Sequence, residues 1–224
     1  MATEATKDAL IDLNSVPARQ QANLKTVETP QGTVVTNKGS VSGLVAFVKG
    51  PATFLGGNFR KATFNFSTAG STPPSVDVRN TELTGASFNG TTANDDLGFG
   101  GNNPLAKSSS STKVNSASAS LGAGEDSVSF KKGSKDSKSS YDMGQGADSV
   151  TFNKGSFSDK TTISLGSNDG AADIVDVSSQ KVVEKLKIKD FGVNDTLRVG
   201  SKTYDYSDLQ AKDGKLGNIR VSFD

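Results

Sequence analysis

Two stretches of the chain are almost the same. LGAGEDSVSF runs from Leu121 to Phe130 and MGQGADSVTF from Met143 to Phe152, so Asp126 and Asp148 stand 22 residues apart. The same step of 22 separates Val128 from Val150, Phe130 from Phe152 and Gly133 from Gly155. The register runs on. Leu165 lies 22 beyond Met143, and Ile188 lies 23 beyond Leu165; Asp173 lies 25 beyond Asp148, and Asp195 lies 22 beyond Asp173. The extra residues fall in SNDGAA, a loop composition. A fixed period constrains a fold more than local propensity does, because every unit must repeat the same path.

Alternation along a strand puts every second side chain on one face. It gives four inward ladders: Ala119, Tyr141, Ile163, Leu186; Leu121, Met143, Leu165, Ile188; Val128, Val150, Val175, Leu197; and Phe130, Phe152, Val177, Val199. The residues between them are mostly Ser, Thr, Asp and Lys, as an outer face needs. Upstream, GASF (85–88) and DDLGF (95–99) make another unit, with Asp95, Leu97 and Phe99 matching Asp126, Val128 and Phe130. TFNF (63–66) and SVDV (75–78) fit a further one, with Pro73-Pro74 where the acidic loop would be. Two short strands and two turns in about 22 residues fit one coil of a parallel β-solenoid. The fold class is therefore all-β, a β-roll-like solenoid carrying an N-terminal arm. An antiparallel β-sandwich is the competing fold; it also uses alternating strands, but needs no fixed repeat.

The divisions follow. Residues 1–31 read as an arm, where Thr3 or Thr6 offers an N-cap and Ala9, Leu10, Ile11 and Leu13 give a partial helical face. Residues 32–80 read as a β-rich N-terminal region or cap, 81–200 as the repeats, and 201–224 as a C-terminal cap with one helical turn at YSDLQA (206–211). The segment GGNNPLAKSSSST reads as an extended surface loop.

Composition narrows function. The chain has no Cys and no His, which excludes thiolate or His-based metal sites and Ser-His or Cys-His catalysis. Net charge is +1, so no global field points to nucleic acid or an anionic membrane. No apolar run is long enough to span a bilayer, and the N-terminus lacks the apolar stretch of a secretory signal peptide. The chain has no Trp and only 3 Tyr, and its aspartates fall in one edge ladder rather than in a groove. A non-enzymatic role is expected.

GAGEDSV and GQGADSV resemble the glycine-aspartate nonapeptide of the repeats-in-toxin family, whose pattern is G-G-x-G-x-D-x-U-x. The resemblance covers Gly122, Gly124, Asp126 and Val128, and again Gly144, Gly146, Asp148 and Val150. At Asp173 and Asp195 the acid and the following apolar residue remain, but both glycines are gone. KLKIKDFGVNDTLRVG (185–200) is similar to the segment that closes such arrays. The resemblance implies calcium as cofactor at Asp126, Asp148, Gly124 and Gly146. Two readings of the aspartates stay open: a turn-forming ladder held by backbone N–H groups, or a ladder whose like charges, one coil apart, are relieved by calcium. This chain departs from the family in its basic opposite edge, Lys131, Lys132, Lys135, Lys138, Lys154 and Lys160. That edge reads either as a surface for an acidic glycan or protein or as a solvated edge that discourages strand pairing.

Two functional expectations follow. The arm, the absence of Cys and His, and the Ser/Gly/Thr-rich β-body resemble, in general character, a phage virion component: a capsid decoration, cement or fibre protein located in the virion. Its partners would be capsid or other virion proteins, with cell-surface glycans and self-association as further expectations, and neither nucleic acid nor a membrane span. The alternative is a secreted repeats-in-toxin-like calcium-binding surface or adhesion protein, located outside the cell.

Overall fold

The structure is a computed structural model, which describes residues 9–70, 72–101, 111–167 and 169–223. It is a right-through parallel stack of seven coils, each with three sides. A coil begins with a strand in a first sheet (Gly32–Asn37), turns to a short strand in a second (Ser40–Ser42), and returns through a third (Val45–Val48). The chain then steps to the next coil, with Pro51–Leu55, Asn58–Arg60 and Thr63–Phe66 lying parallel to their predecessors. Among the described residues the first and third sheets each have ten strands and the second has six. In the seventh coil a 3-10 turn, Gln180–Val182, takes the place of the second-sheet strand.

The fold class is as expected, and parallel pairing removes the sandwich. Three details differ from the sequence pattern. First, a coil has three strands rather than two; the additional one lies in segments such as Ser134–Ser137, too short and polar to read as β. Second, the stack starts at Gly32 and not near residue 81, so residues 32–80 are coils of the same solenoid. Third, Ile163 pairs with Ile188, and Leu186 pairs with Thr161. The insertion at SNDGAA precedes the seventh coil, so it shifts Val150 to Val175 and carries the third sheet along by the same amount.

The ladders otherwise hold. Val128, Val150, Val175 and Leu197 are in register, as are Phe99, Phe130, Phe152 and Val177, all buried. Rings stack along the axis: Phe64 on Phe88 with centroids 4.7 Å apart, and Phe130 on Phe152 at 4.6 Å and 4° between planes. Phe88 meets Phe99 edge-on at 5.8 Å and joins the two columns. The strand spacing, about 4.8 Å, lies within the range at which offset rings attract, so a parallel stack of identical Phe positions is self-reinforcing.

The corners repeat as faithfully as the strands. Between the second and third sheets one residue in each of the first six coils is left-handed: Gly43, Lys61, Gly85, Ser116, Lys138 and Lys160. Its N–H bonds the next coil, as Lys61 N to Thr84 O at 2.8 Å and Lys138 N to Asp159 O at 3.0 Å. Only two of the six are glycine, so the corner left no clear trace in the sequence.

Both ends are closed. Ala9–Asp12 is a strand, antiparallel to Val45–Val48, and not a helical face. Thr3 and Thr6 lie outside the described residues. Among the described residues of this region, helix is a 3-10 turn at Leu13–Ser15 and the short α-helix Ala18–Gln21. The reason is the open edge of the third sheet in the first coil, whose unpaired N–H and C=O groups need a partner. Leu24–Thr29 closes the first sheet in the same way. At the other end Lys202–Tyr204 folds back on Thr196–Val199, and Ile219–Phe223 extends the third sheet. Tyr206–Gln210 is the expected helical turn, capped reciprocally by Asp205 and Asp208.

Replacing Val150 or Phe152 with Asp puts a charge inside a shared column and is expected to unfold the body, read as loss of the far-ultraviolet β signal. Phe152→Leu keeps the volume class and is expected to stay folded, with a loss of about 1–2 kcal/mol.

Candidate functional site

The repeated aspartates sit at the corner where the third sheet hands the chain to the first sheet of the next coil. All are buried: Asp95, Asp126, Asp148, Asp173 and Asp195. Each carboxylate turns back to the preceding coil. Asp126 Oδ1 accepts from Asp95 N at 2.7 Å, Asp148 Oδ1 from Asp126 N at 2.7 Å, Asp173 Oδ1 from Asp148 N at 2.7 Å, and Asp195 Oδ1 from Asp173 N at 2.9 Å. The ladder begins for a physical reason. Pro74 holds the equivalent position one coil earlier, since Asp96 N bonds Pro74 O just as Ser127 N bonds Asp95 O. Proline has no N–H to give, and Asp95 instead accepts from Thr91 N and Thr91 Oγ1.

The glycines serve stacking. Gly122, Gly124, Gly144 and Gly146 have φ of 105°, 129°, 96° and 125°. A Cβ on Gly144 would lie 1.8 Å from Gly122 O, and one on Gly146 would lie 1.8 Å from Gly124 O. Coils at this pitch leave no room for a side chain there. Gly166 belongs to the same column, since a Cβ on it would lie 1.7 Å from Gly144 O. The sequence alignment lost it because the insertion separates it from Asp173.

Burial dominates the ionisation of these acids. It pushes Asp126 up to about 7, Asp148 up to about 8 and Asp173 up to about 7, against the lowering effect of the backbone N–H that each accepts; repulsion from neighbouring aspartates raises them further. The second oxygens, Asp126 Oδ2 and Asp148 Oδ2, are buried without a hydrogen-bond partner. Calcium asks for six to eight oxygens around one point. Among the described residues no group of three acidic side chains converges closely enough to hold a metal ion. At Asp126 and Asp148 one oxygen of each is already spent on a backbone N–H, while Gly124 O packs under Gly146. These donors alone fall short of a calcium shell, and burial favours the protonated form of each carboxyl.

A second acidic group lies at the C-terminal end of the same corner. Asp169, Asp190 and Asp195 line a cavity of about 310 Å³. Their carboxylates are engaged locally: Asp169 accepts from Gly146 N and Ala171 N, Asp190 from Ser164 Oγ, and Asp195 from Gly192 N.

The lysines do not form one edge. Lys131, Lys132 and Lys154 are at the corner between the first and second sheets, Lys135 is on the outer face of the second, and Lys138 and Lys160 are at the next corner. Lys131 Nζ reaches Asp77 Oδ1 at 2.8 Å. It passes over Gly98, where a Cβ would meet both groups.

Sequence reasoning missed Asp136. It sits in KKGSKDSK, a segment that looks wholly solvated, yet it is buried in the column Val41, Phe59, Leu83, Val114, Asp136, Ser158. Tyr141 Oη donates to it at 3.1 Å, and Thr161 and Ser158 donate from the coil above. Burial raises its carboxyl well against these hydroxyls. The alternation Ser134-x-Asp136 was the available signal, but only once the segment was known to be a strand.

No family model matches the chain, and no curated protein or solved structure matches it.

Two outcomes test the corner. Gly146→Ala is expected to cost about 2 kcal/mol or more, from strain at positive φ and from the backbone clash, read by denaturant unfolding. The pH test has a definite sign. Asp126, Asp148 and Asp173 bind protons more tightly folded than unfolded, so their contribution is fully present below about pH 4 and is lost as pH rises to about 8. Asp148→Asn keeps an acceptor and removes the charge. Its melting temperature is expected to exceed that of the parent at pH 9 and to vary less with pH.

Proposed function

We propose that the protein is a non-enzymatic structural component, a rod capped at both ends that serves in a phage virion as a decoration, cement or fibre protein and attaches by its N-terminal end. One observation carries this reading. Of the six large apolar side chains exposed among the described residues, four belong to the first coil and its cap: Leu10, Leu13, Val27 and Phe47. Leu10 and Phe47 face each other directly across the antiparallel pair, about two-fifths exposed at 40% and 44%. Farther along the same face the positions beside Phe47 become Asn65, Asn89 and Ser120. An apolar patch confined to one end of a rod is what end-on attachment to a larger surface requires.

The rest of the molecule supports a building block. Its side-chain hydrogen bonds at the aspartate corner join coil to coil, and its core is continuous through seven coils. Such a body transmits load along its axis without hinges.

The test is recovery with particles. Density-gradient-purified virus particles from the source culture are expected to contain this chain, identified by mass spectrometry. Recombinant protein is expected to rebind stripped particles, while Leu10→Ser/Phe47→Ser fails to bind at an unchanged melting temperature. Recovery of the chain free in the medium, with a melting temperature that rises on adding calcium and falls with chelator, would replace this reading with the secreted calcium-binding one.

A further inference from the structure

The third sheet changes character along its outer face. Registered positions run Val45, Thr63, Ser87, Ser118, Ser140, Thr162, then Lys187, Arg220 and Lys215. A neighbouring row runs Ser120, Asp142, Ser164 and Lys189. Apolar at the first coil and hydroxylic through the middle, the face becomes cationic at the C-terminal end.

That end holds a groove of about 500 Å³ between the last coils, with Lys160, Lys185, Lys187 and Arg220 among its lining residues and, among the described residues, Glu184 as the one acid. All four cations are exposed. Among the described residues none of them, nor Lys189, has an acidic side chain within ion-pair distance, whereas Lys215 is held by Asp213. Lys187 and Lys189 alternate outward on the strand Leu186–Phe191, their backbones roughly 7 Å apart, Lys185 stands just before that strand, and Arg220 lies one strand across, about 4.8 Å away. Like charges gathered on one face repel. A chain of net charge +1 has no global need to place them together.

We propose that this groove binds a linear acidic polysaccharide, with carboxylate or sulfate groups on the lysine and arginine grid. The proposal is independent of N-terminal attachment, because the groove lies at the other end of the rod. Three features select this chemistry. The cations are spread in two directions, which suits repeated anionic groups along a polymer rather than one phosphate. Thr162 and Asn218 stand among them and offer hydrogen bonds to ring hydroxyls. Among the described residues no aromatic side chain lines the groove, so the bases of a single-stranded nucleic acid find no stacking platform there.

The experiment uses the full chain and four probes: polygalacturonate, dextran sulfate, neutral dextran, and a single-stranded oligonucleotide of matched charge. Binding is read by isothermal titration at two salt concentrations. Polygalacturonate or dextran sulfate is expected to bind, with affinity falling as salt rises, and neutral dextran to give no heat. Lys187→Thr/Arg220→Thr restores the hydroxylic rung of the coil before. It is expected to lower affinity by at least about tenfold at unchanged melting temperature. Lys132→Ser/Lys154→Ser, at a different corner, is expected to bind as the parent does and excludes a general charge effect. The proposal is overturned if the groove variant binds as tightly as the parent, if neither acidic polysaccharide binds, or if the oligonucleotide binds more tightly than both.

Discussion

From Asp95 to Asp195, the bond from one corner aspartate's backbone N–H to the carboxylate of the next coil's aspartate ties successive coils together. It braces the turn that carries the chain from the third sheet to the first, while the parallel strand ladders set the pitch there and in the earlier coils alike. The glycine column depends on that distance, since Gly144 and Gly146 pass so close to Gly122 O and Gly124 O that a methyl group does not fit. Register of the first-sheet strands follows from the same corner, because Ser127, Ser149, Ile174 and Thr196 each start by bonding the carbonyl of the aspartate below. A buried carboxylate is a costly connector when charged. Here the N–H offsets part of that cost, and burial raises the proton affinity of Asp126, Asp148 and Asp173 above the usual carboxylate range.

Inside this frame the core is aromatic where the coils are most regular. Phe130 on Phe152 places equal side chains one strand apart, and the stack of rings is a consequence of the period. The core is not uniform. Under the second sheet the column passes from Val114 to Asp136 and Ser158, and Tyr141, Thr161 and Ser158 converge on that single carboxylate. A polar knot in a column of apolar residues penalises any slip of coil register, because a displaced Asp136 meets Val114 or Leu83 instead of hydroxyls.

The rod has two chemically different ends. Apolar side chains are exposed around the first coil, and cations crowd the last coils of the third sheet, with rows of Ser, Thr and Asn between. In a parallel solenoid any outward position can change without disturbing the inward one beside it, because alternation separates the two faces. Surface chemistry can therefore differ from end to end while the body stays the same.

The sequence by itself determined the period, the parallel solenoid and most of the core. Phe130 over Phe152 and Asp126 over Asp148 need only a fixed step and strand alternation to be read. Three things were decided by tertiary structure. The third side of each coil was hidden because strands of three or four residues point a single paired residue inward, which is too little alternation to read, and in the most regular coils that residue is Asp136 or Ser158. The role of the motif was hidden because GxGxD has one spelling for two purposes; only the distances show glycines making room for a carbonyl and aspartates bonding N–H groups. The cationic groove was hidden because Lys187 and Arg220 are far apart in sequence, and only the parallel pairing of Ile219–Phe223 with Leu186–Phe191 brings them side by side.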